Sequence, residues 1–189
     1  MAKTYGGTRN YPSGSSAYVK RQTEYESLMS SGDYSSSLSH FYSGGGFVVT
    51  HNEHNAPGEG DDTRHIANSL AKKGYRIYLG KEKTSKISDP AKRTGKNPKV
   101  QDGKIEVRQM DIKTINRAGK NTIKNAMESA TKQNASVVIL GQRTRRMTRA
   151  YVESQIKLFQ EKSPARAREK LEYVIVVGRR GTVHRHKLK

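Results

Sequence analysis

Residues 102–110 read Asp-Gly-Lys-Ile-Glu-Val-Arg-Gln-Met, and the fold hangs on this stretch. Asp102-Gly103 suits a tight turn, because both residues tolerate unusual backbone angles. Residues 104–110 then predict a strand. Ile105, Val107 and Gln109 would share one face, and Lys104, Glu106 and Arg108 the other. A helix is expected over about 116–134, with Ile123, Met127 and Ala130 at helical spacing. The next run, Val137-Val138-Ile139-Leu140, is apolar without a break, as in a strand buried on both faces.

The pattern extends in both directions. Upstream, Phe47-Val48-Val49-Thr50 predicts a short strand. Asp61 or Asp62 can cap a helix that runs to Lys73, with Ile66, Ala67, Leu70 and Ala71 as its apolar stripe and Gly74 just past its end. Tyr75, Ile77 and Leu79 alternate along another strand. Residues 80–98 are rich in Lys and Arg, carry two Pro and two Gly, and read as a mobile basic loop. Downstream, Thr148 can cap a helix whose Val152, Ile156 and Phe159 face inward. Ser163-Pro164 opens a short basic turn or helix. Residues 173–177 and 182–186 predict two last strands joined by a turn at Arg180-Gly181. Strands alternating with helices in this order predict an α/β domain, a small mixed sheet flanked by helices.

Composition narrows the function. The chain has 189 residues, 36 Lys and Arg against 17 Asp and Glu, and a formal charge of +19. The charge is uneven. Residues 1–46 hold 11 Ser, 7 Gly and six of the ten Tyr, with a net charge of only +1. Residues 1–45 therefore read as a Ser/Gly/Tyr-rich N-terminal tail, flexible or docked on a partner, and residues 46–189 as the basic domain. Within the tail, residues 17–29 can form a short helix with Tyr18, Tyr25 and Leu28 on one side. The chain lacks Cys, which excludes disulfides, a thiolate nucleophile and Cys-based metal sites. No apolar run is long enough for a membrane span, and no signal peptide is visible, so a cytoplasmic protein, or one carried in a virion or delivered to a target cell, is expected. GxxxxGK[ST], GxGxxG and GxSxG are all missing. A surface this basic points to nucleic acid, with an acidic protein partner as the alternative.

Three groups of residues can carry chemistry. The first is Asp102, Glu106 and Arg108, with Glu59 or Asp62 by the first helix of the domain. Converging carboxylates can bind Mg²⁺ or Mn²⁺, and Arg108 can hold a phosphate. The second is histidine. His51 and His54 follow the first strand of the domain, and His184 and His186 share one face of the last. Together they can make a metal site, or an acid/base pair for metal-free RNA cleavage, and the latter pair can instead contact phosphate. The third is a cationic surface made of Lys81, Lys83, Lys86, Lys92, Arg93 and Lys96 in the basic loop, and of Arg143, Arg145 and Arg146 after the buried strand.

Gly45-Gly46-Phe47-Val48-Val49 with His51 and His54-Asn55 resembles the start of the C-terminal nuclease domains of contact-dependent growth-inhibition toxins, relatives of which accompany phage minor head proteins. The resemblance continues through Leu70-Ala71-Lys72-Lys73-Gly74-Tyr75, residues 102–108, Ile123-Lys124-Asn125-Ala126 and residues 132–138. Those domains are similar to PD-(D/E)XK nucleases, whose core runs helix, three strands, helix, strand. The resemblance implies an acid from the first helix (Glu59 or Asp62), an Asp before the middle strand (Asp102) and a Glu-x-Lys motif, here Glu106-Val107-Arg108. Arg108 stands where the motif has lysine, and Lys99 follows Pro98 where it has aspartate. The function so implied is cleavage of tRNA or other RNA or DNA with Mg²⁺ or Mn²⁺, in a phage or mobile-element toxin system with an acidic immunity protein as partner. The alternatives are an inactive nucleic-acid-binding protein that docks on a virion or portal component through residues 1–45, and a metal-independent RNase using its histidines.

Overall fold

The structure is a computed structural model and describes residues 4–5, 10–54, 60–81 and 103–189. The basic loop is outside that range apart from Gly80 and Lys81, and so are Glu59 and Asp102. Among the described residues nine strands form one sheet in the order β1-β9-β8-β7-β6-β5-β4-β3-β2. The strands are β1 (Thr4–Tyr5), β2 (His40–Phe41), β3 (Phe47–Thr50), β4 (Arg76–Leu79), β5 (Gly103–Ile105), β6 (Arg108–Ile115), β7 (Val137–Gln142), β8 (Tyr173–Val177) and β9 (Val183–Lys187). Pairs β3–β4, β6–β7 and β7–β8 are parallel and the others antiparallel. This is the mixed α/β architecture that the alternation of patterns predicts.

Five helices cover the sheet: α1 (Ser16–Ser30), α2 (Gly60–Ala71), α3 (Thr122–Lys132), α4 (Arg149–Lys162) and α5 (Ala165–Lys170). The α2 stripe forms as expected. Ile66, Ala67, Leu70 and Ala71 pack on one face of the sheet with Ile77, Leu79, Ile105, Met110 and Ile139. Gly74 takes φ 83°, which ends the helix and starts β4. On the opposite face Ile123 and Met127 of α3 and Val152, Ile156 and Phe159 of α4 pack on Val138, Leu140, Val174 and Val176. The Thr148 hydroxyl accepts from the Tyr151 N–H, as a cap should.

Two expectations change. First, the strand over 104–110 is two strands. Glu106 and Val107 form a two-residue turn in which Glu106 has φ 55°, and β6 then runs on to Ile115. A left-handed glutamate costs on the order of 1 kcal/mol. Its N–H donates to Arg76 O at 2.8 Å, and its carboxylate is clamped by arginines, which hold the turn in place. The helix that follows begins at Thr122 rather than near 116, because β6 runs to Ile115 and a non-helical connection over 116–121 separates the two.

Second, residues 10–45 lie on the domain rather than beyond it. The expected helix forms, and its aromatic side faces the protein's own sheet. Tyr18 and Tyr25 meet Phe41 at centroid distances of 5.4 and 5.6 Å, and Tyr25 meets Phe47 at 5.7 Å. Arg21 is buried beneath the helix and donates to the carbonyls of Gly45 and Gly74. A Ser/Gly-rich composition suggests a tail only when few apolar groups are on offer. Here Tyr25, Tyr34, Tyr42 and the buried Arg21 supply the anchorage.

Candidate functional site

Strand alternation and register fix which side chains share a face. On the face away from α2, one row runs Val49, Tyr78, Lys104, Gln109 across β3 to β6. Two residues further along β6, a second row runs Asp111, Val138, Val174, His186, and a third runs Lys113, Leu140, Val176, His184. α1 covers β3 and β4 on this face, and α3 and α4 cover β7 and β8. Between them, over β5 and the start of β6, is a groove of about 560 Å³ lined by Leu28, Tyr34, Tyr78, Lys81, Lys104 and Gln109.

Asp111 and Lys113 lie along β6 from Gln109 on this face. The Asp111 side chain is 0% exposed, and Lys113 Nζ donates to its Oδ1 at 2.9 Å. β5 pairs only with Arg108, Gln109 and Met110. From Asp111 onward the β5-facing edge of β6 has no strand partner among the described residues. A buried carboxylate with a lysine two residues on, in the third strand of a helix, three strands, helix, strand order (α2, β4, β5, β6, α3, β7), has the acid-x-lysine spacing that the resemblance led us to expect at Glu106-Val107-Arg108. The signal was present in the sequence as Asp111-Ile112-Lys113. It was hidden because the strand was expected to stop at Met110, and because Glu106-Val107-Arg108 offers a similar triplet.

Of the expected first group, Asp62, Glu106 and Arg108 are described, and each has its own ion-pair partners. Glu106 sits in the hairpin turn. Its carboxylate accepts from Arg76 Nε at 2.8 Å, and Arg21 lies 3.4 Å away. Arg108 points to the α2 face, where Nε donates to Glu172 at 2.8 Å and the guanidinium lies 5.1 Å from the Tyr173 ring centre. Glu106 and Arg108 thus hold different ion-pair partners, Arg76 and Glu172, although both line one small cavity on the α2 face. The turn has broken the alternation that was to put them side by side. Asp62, in the first turn of α2, is ion-paired with Arg143 just after β7.

Around Glu106 the network extends to α1. Glu24 accepts from Arg76 at 2.8 Å and from the Tyr78 hydroxyl at 2.5 Å. Burial pushes Glu24 up, but the hydrogen bonds from Tyr78 and Arg76 outweigh it, and its carboxyl ends below the ordinary range. Burial and the Glu24 contact push the Tyr78 hydroxyl well up. These groups hold α1 and the β5–β6 hairpin to β4.

The histidines are dispersed. His51 Nδ1 accepts from the Glu53 N–H at 3.0 Å, and its ring lies 5.9 Å from Tyr34. His54 Nδ1–H donates to Gly80 O at 2.8 Å. His184 and His186 are on β9, six strands from β3 in the sheet order. Burial pulls the His186 imidazole below its usual value. Among the described residues no three His, Asp or Glu side chains come together as metal ligands. Of the cationic surface, Arg143, Arg145 and Arg146 are exposed after β7, and Lys81 pairs with Glu53 at 2.7 Å. Lys83, Lys86, Lys92, Arg93 and Lys96 fall outside the described residues.

Residues 99–183 match the family model described as the contact-dependent growth inhibition CdiA C-terminal domain. The resemblance read from the sequence is thus borne out over that stretch, which contains the β5–β6 hairpin and the Asp111–Lys113 pair. Over that stretch the chain is similar to the toxin domains of contact-dependent growth inhibition systems. Comparison with curated proteins and with solved structures finds no match. No described helix is long and apolar enough to cross a membrane.

Proposed function

We propose that this chain is a nuclease-type toxin domain that hydrolyses a phosphodiester bond of tRNA or other nucleic acid at Asp111 and Lys113. The observation that carries the reading is the buried Asp111 carboxylate, held by Lys113 at 2.9 Å on the third strand of this core. Asp111 is a hard oxygen donor of the kind Mg²⁺ and Mn²⁺ prefer. The described residues fit such a cation through this one carboxylate, and Glu59 and Asp102 are the candidates to complete the set. A bound divalent cation would supply Lewis-acid stabilisation of the charge that builds on the phosphate. Lys113 would place a positive charge against the same phosphate and help to orient the attacking water. Lys104 and Gln109 would steady the strand along the groove. The exposed Arg143, Arg145 and Arg146 would hold its backbone. Delivery into a target cell and neutralisation by an acidic immunity protein follow from the toxin reading.

The test is cleavage of total tRNA and of DNA with Mg²⁺, Mn²⁺ or EDTA. Asp111→Asn keeps the shape of the side chain and removes the charge. Cleavage should fall by at least a thousandfold in this variant, comparable to the loss of one preorganised electrostatic group. Lys113→Met should behave alike. Cleavage that persists in Asp111→Asn at the wild-type rate would overturn the assignment.

A further inference from the structure

A second cavity lies on the same face of the sheet, three strands from β6, where α4 begins over β9. It is about 200 Å³ and is lined in part by Gln142, Arg149, Gly178, Thr182, His184 and His186. That is several times the roughly 30 Å³ share of a water molecule. It has room for a phosphate group together with the first atoms of its carrier.

Four observations point to an anion. His186 is 3% exposed, lines the cavity, and its ring makes no hydrogen bond among the described residues. His184 stands beside it on the same strand face, with Arg149 across the cavity on the first turn of α4. The α4 N-terminus adds the positive end of a helix of 14 residues. Finally, Gly178 leaves a cradle. A Cβ there would come within 2.2 Å of Thr182 Oγ1 and 3.4 Å of Gln142 Oε1, so only glycine lets that hydroxyl and that amide oxygen converge on the space. Gln142 Nε2 is committed to the carbonyls of Thr144 and Met147, so its Oε1 is left as an acceptor that opposes an anion, and the Thr182 hydroxyl is the donor on this side. Glu153, on the next turn of α4, is the opposing charge, and Arg149 Nε already pairs with it at 2.8 Å.

We propose that this cavity binds a phosphomonoester, with Arg149, His184, His186 and the Thr182 hydroxyl as its donors. The ester is carried by a free nucleotide or by the phosphorylated end of a nucleic-acid strand. Val152 and Val176 give the carrier an apolar floor. The exposed Arg143, Arg145 and Arg146 lie on the loop between β7 and α4, along the path from β6 to the cavity. The inference stands without cleavage at Asp111, because a phosphate can be held here whether or not a bond is broken there.

The experiment measures binding to the Asp111→Asn protein, which separates this site from the chemistry at β6. The probes are a short oligonucleotide with a 5′-phosphate, the same oligonucleotide with a 5′-hydroxyl, adenosine monophosphate and adenosine, followed by calorimetry and by the ring resonances of His184 and His186. The phosphorylated member of at least one pair should bind at least tenfold more tightly and shift both rings, as charge-assisted hydrogen bonds require. Arg149→Ala with His184→Ala, two exposed side chains whose loss leaves the core intact, should erase the difference, and Gly178→Ala should reduce it. A preference for the nucleotide over adenosine identifies the free ligand, and a preference seen only with the oligonucleotide identifies the strand end. Equal binding within both pairs, or a preference that survives the double variant, overturns the proposal.

Discussion

Glu106→Gln separates the two acid-bearing triplets of the β5–β6 region. The Glu106 side chain is 12% exposed, and its ion-pair partners Arg21 and Arg76 are 9% and 23% exposed. Removing one partner of a buried pair costs about 3–5 kcal/mol when the other charge is left alone. Here the loss is smaller. Arg76 keeps Glu24, Arg21 keeps the Gly45 and Gly74 carbonyls and the Tyr11 hydroxyl, and the glutamine retains an acceptor oxygen. A cost of about 2 kcal/mol remains, equivalent to a fall in Tm of about 4–8 °C in a domain of this size. Because the pair is largely shielded, 1 M salt should leave most of the fall in place. Cleavage at 25 °C should stay within about threefold of wild type, since Asp111 is untouched. Thermal unfolding by circular dichroism and the tRNA assay are run on the same preparation. An unchanged Tm with abolished cleavage would refute the clamp and return the chemistry to Glu106.

Two further outcomes test how the parts are held. Arg21→Ala removes the buried anchor of α1 and should cost about 3 kcal/mol; in hydrogen exchange, residues 16–30 should then lose protection before β6 to β8 do, and equal protection across both would show that the aromatic contacts suffice. His186 has its folded value lowered, chiefly by burial, with His184 and Arg149 acting in the same direction and Glu153 against. The unfolded chain therefore takes up the proton first as pH falls, so the stability is full above the ordinary histidine value near 6.5 and is lost as pH drops through the folded value. Between pH 7.5 and 5.5 the wild-type Tm should fall more steeply than that of His186→Asn, and parallel profiles would contradict the burial argument.

Most elements were legible because their apolar spacing is strong. The α2 stripe, the α3 stripe at Ile123 and Met127, the unbroken run of β7 and the Thr148 cap each rest on a local pattern that packing reinforces. The strand over 104–110 differs from its expectation because two local patterns compete there. Residues 104–110 alternate well enough for one strand, and nothing local announces a turn at Glu106-Val107, which has neither glycine nor asparagine. The turn is imposed from outside, by the Arg76 carbonyl and by arginines at positions 21 and 76, and such long-range contacts leave no mark on spacing. The N-terminal segment was misread for the same reason. Its partners Phe41 and Phe47 are distant from Tyr18 and Tyr25 in sequence, and Arg21 looked like any surface cation.

The character of β6 itself supports placing function at Asp111. Met110 and Ile112 face α2 and fill the core there. On the other side, Asp111 and Lys113 stand in rows completed by Val138 and Val174, and by Leu140 and Val176. A valine and a leucine at 111 and 113 would extend those rows as apolar packing. Replacing a buried ion pair by well-packed apolar residues is commonly neutral or stabilising by 1–4 kcal/mol, on the order seen in other proteins. The fold therefore has no need of this pair, and a carboxylate that is 0% exposed in the middle of a sheet is costly to desolvate. The Glu106 clamp is different, because it holds a strained turn and a helix that would otherwise leave. The apolar double variant Asp111→Val with Lys113→Leu is thus the sharper test of purpose, expected to raise Tm or leave it unchanged while cleavage disappears. A fall in Tm of more than about 5 °C would mean that the pair is itself part of what keeps the sheet together.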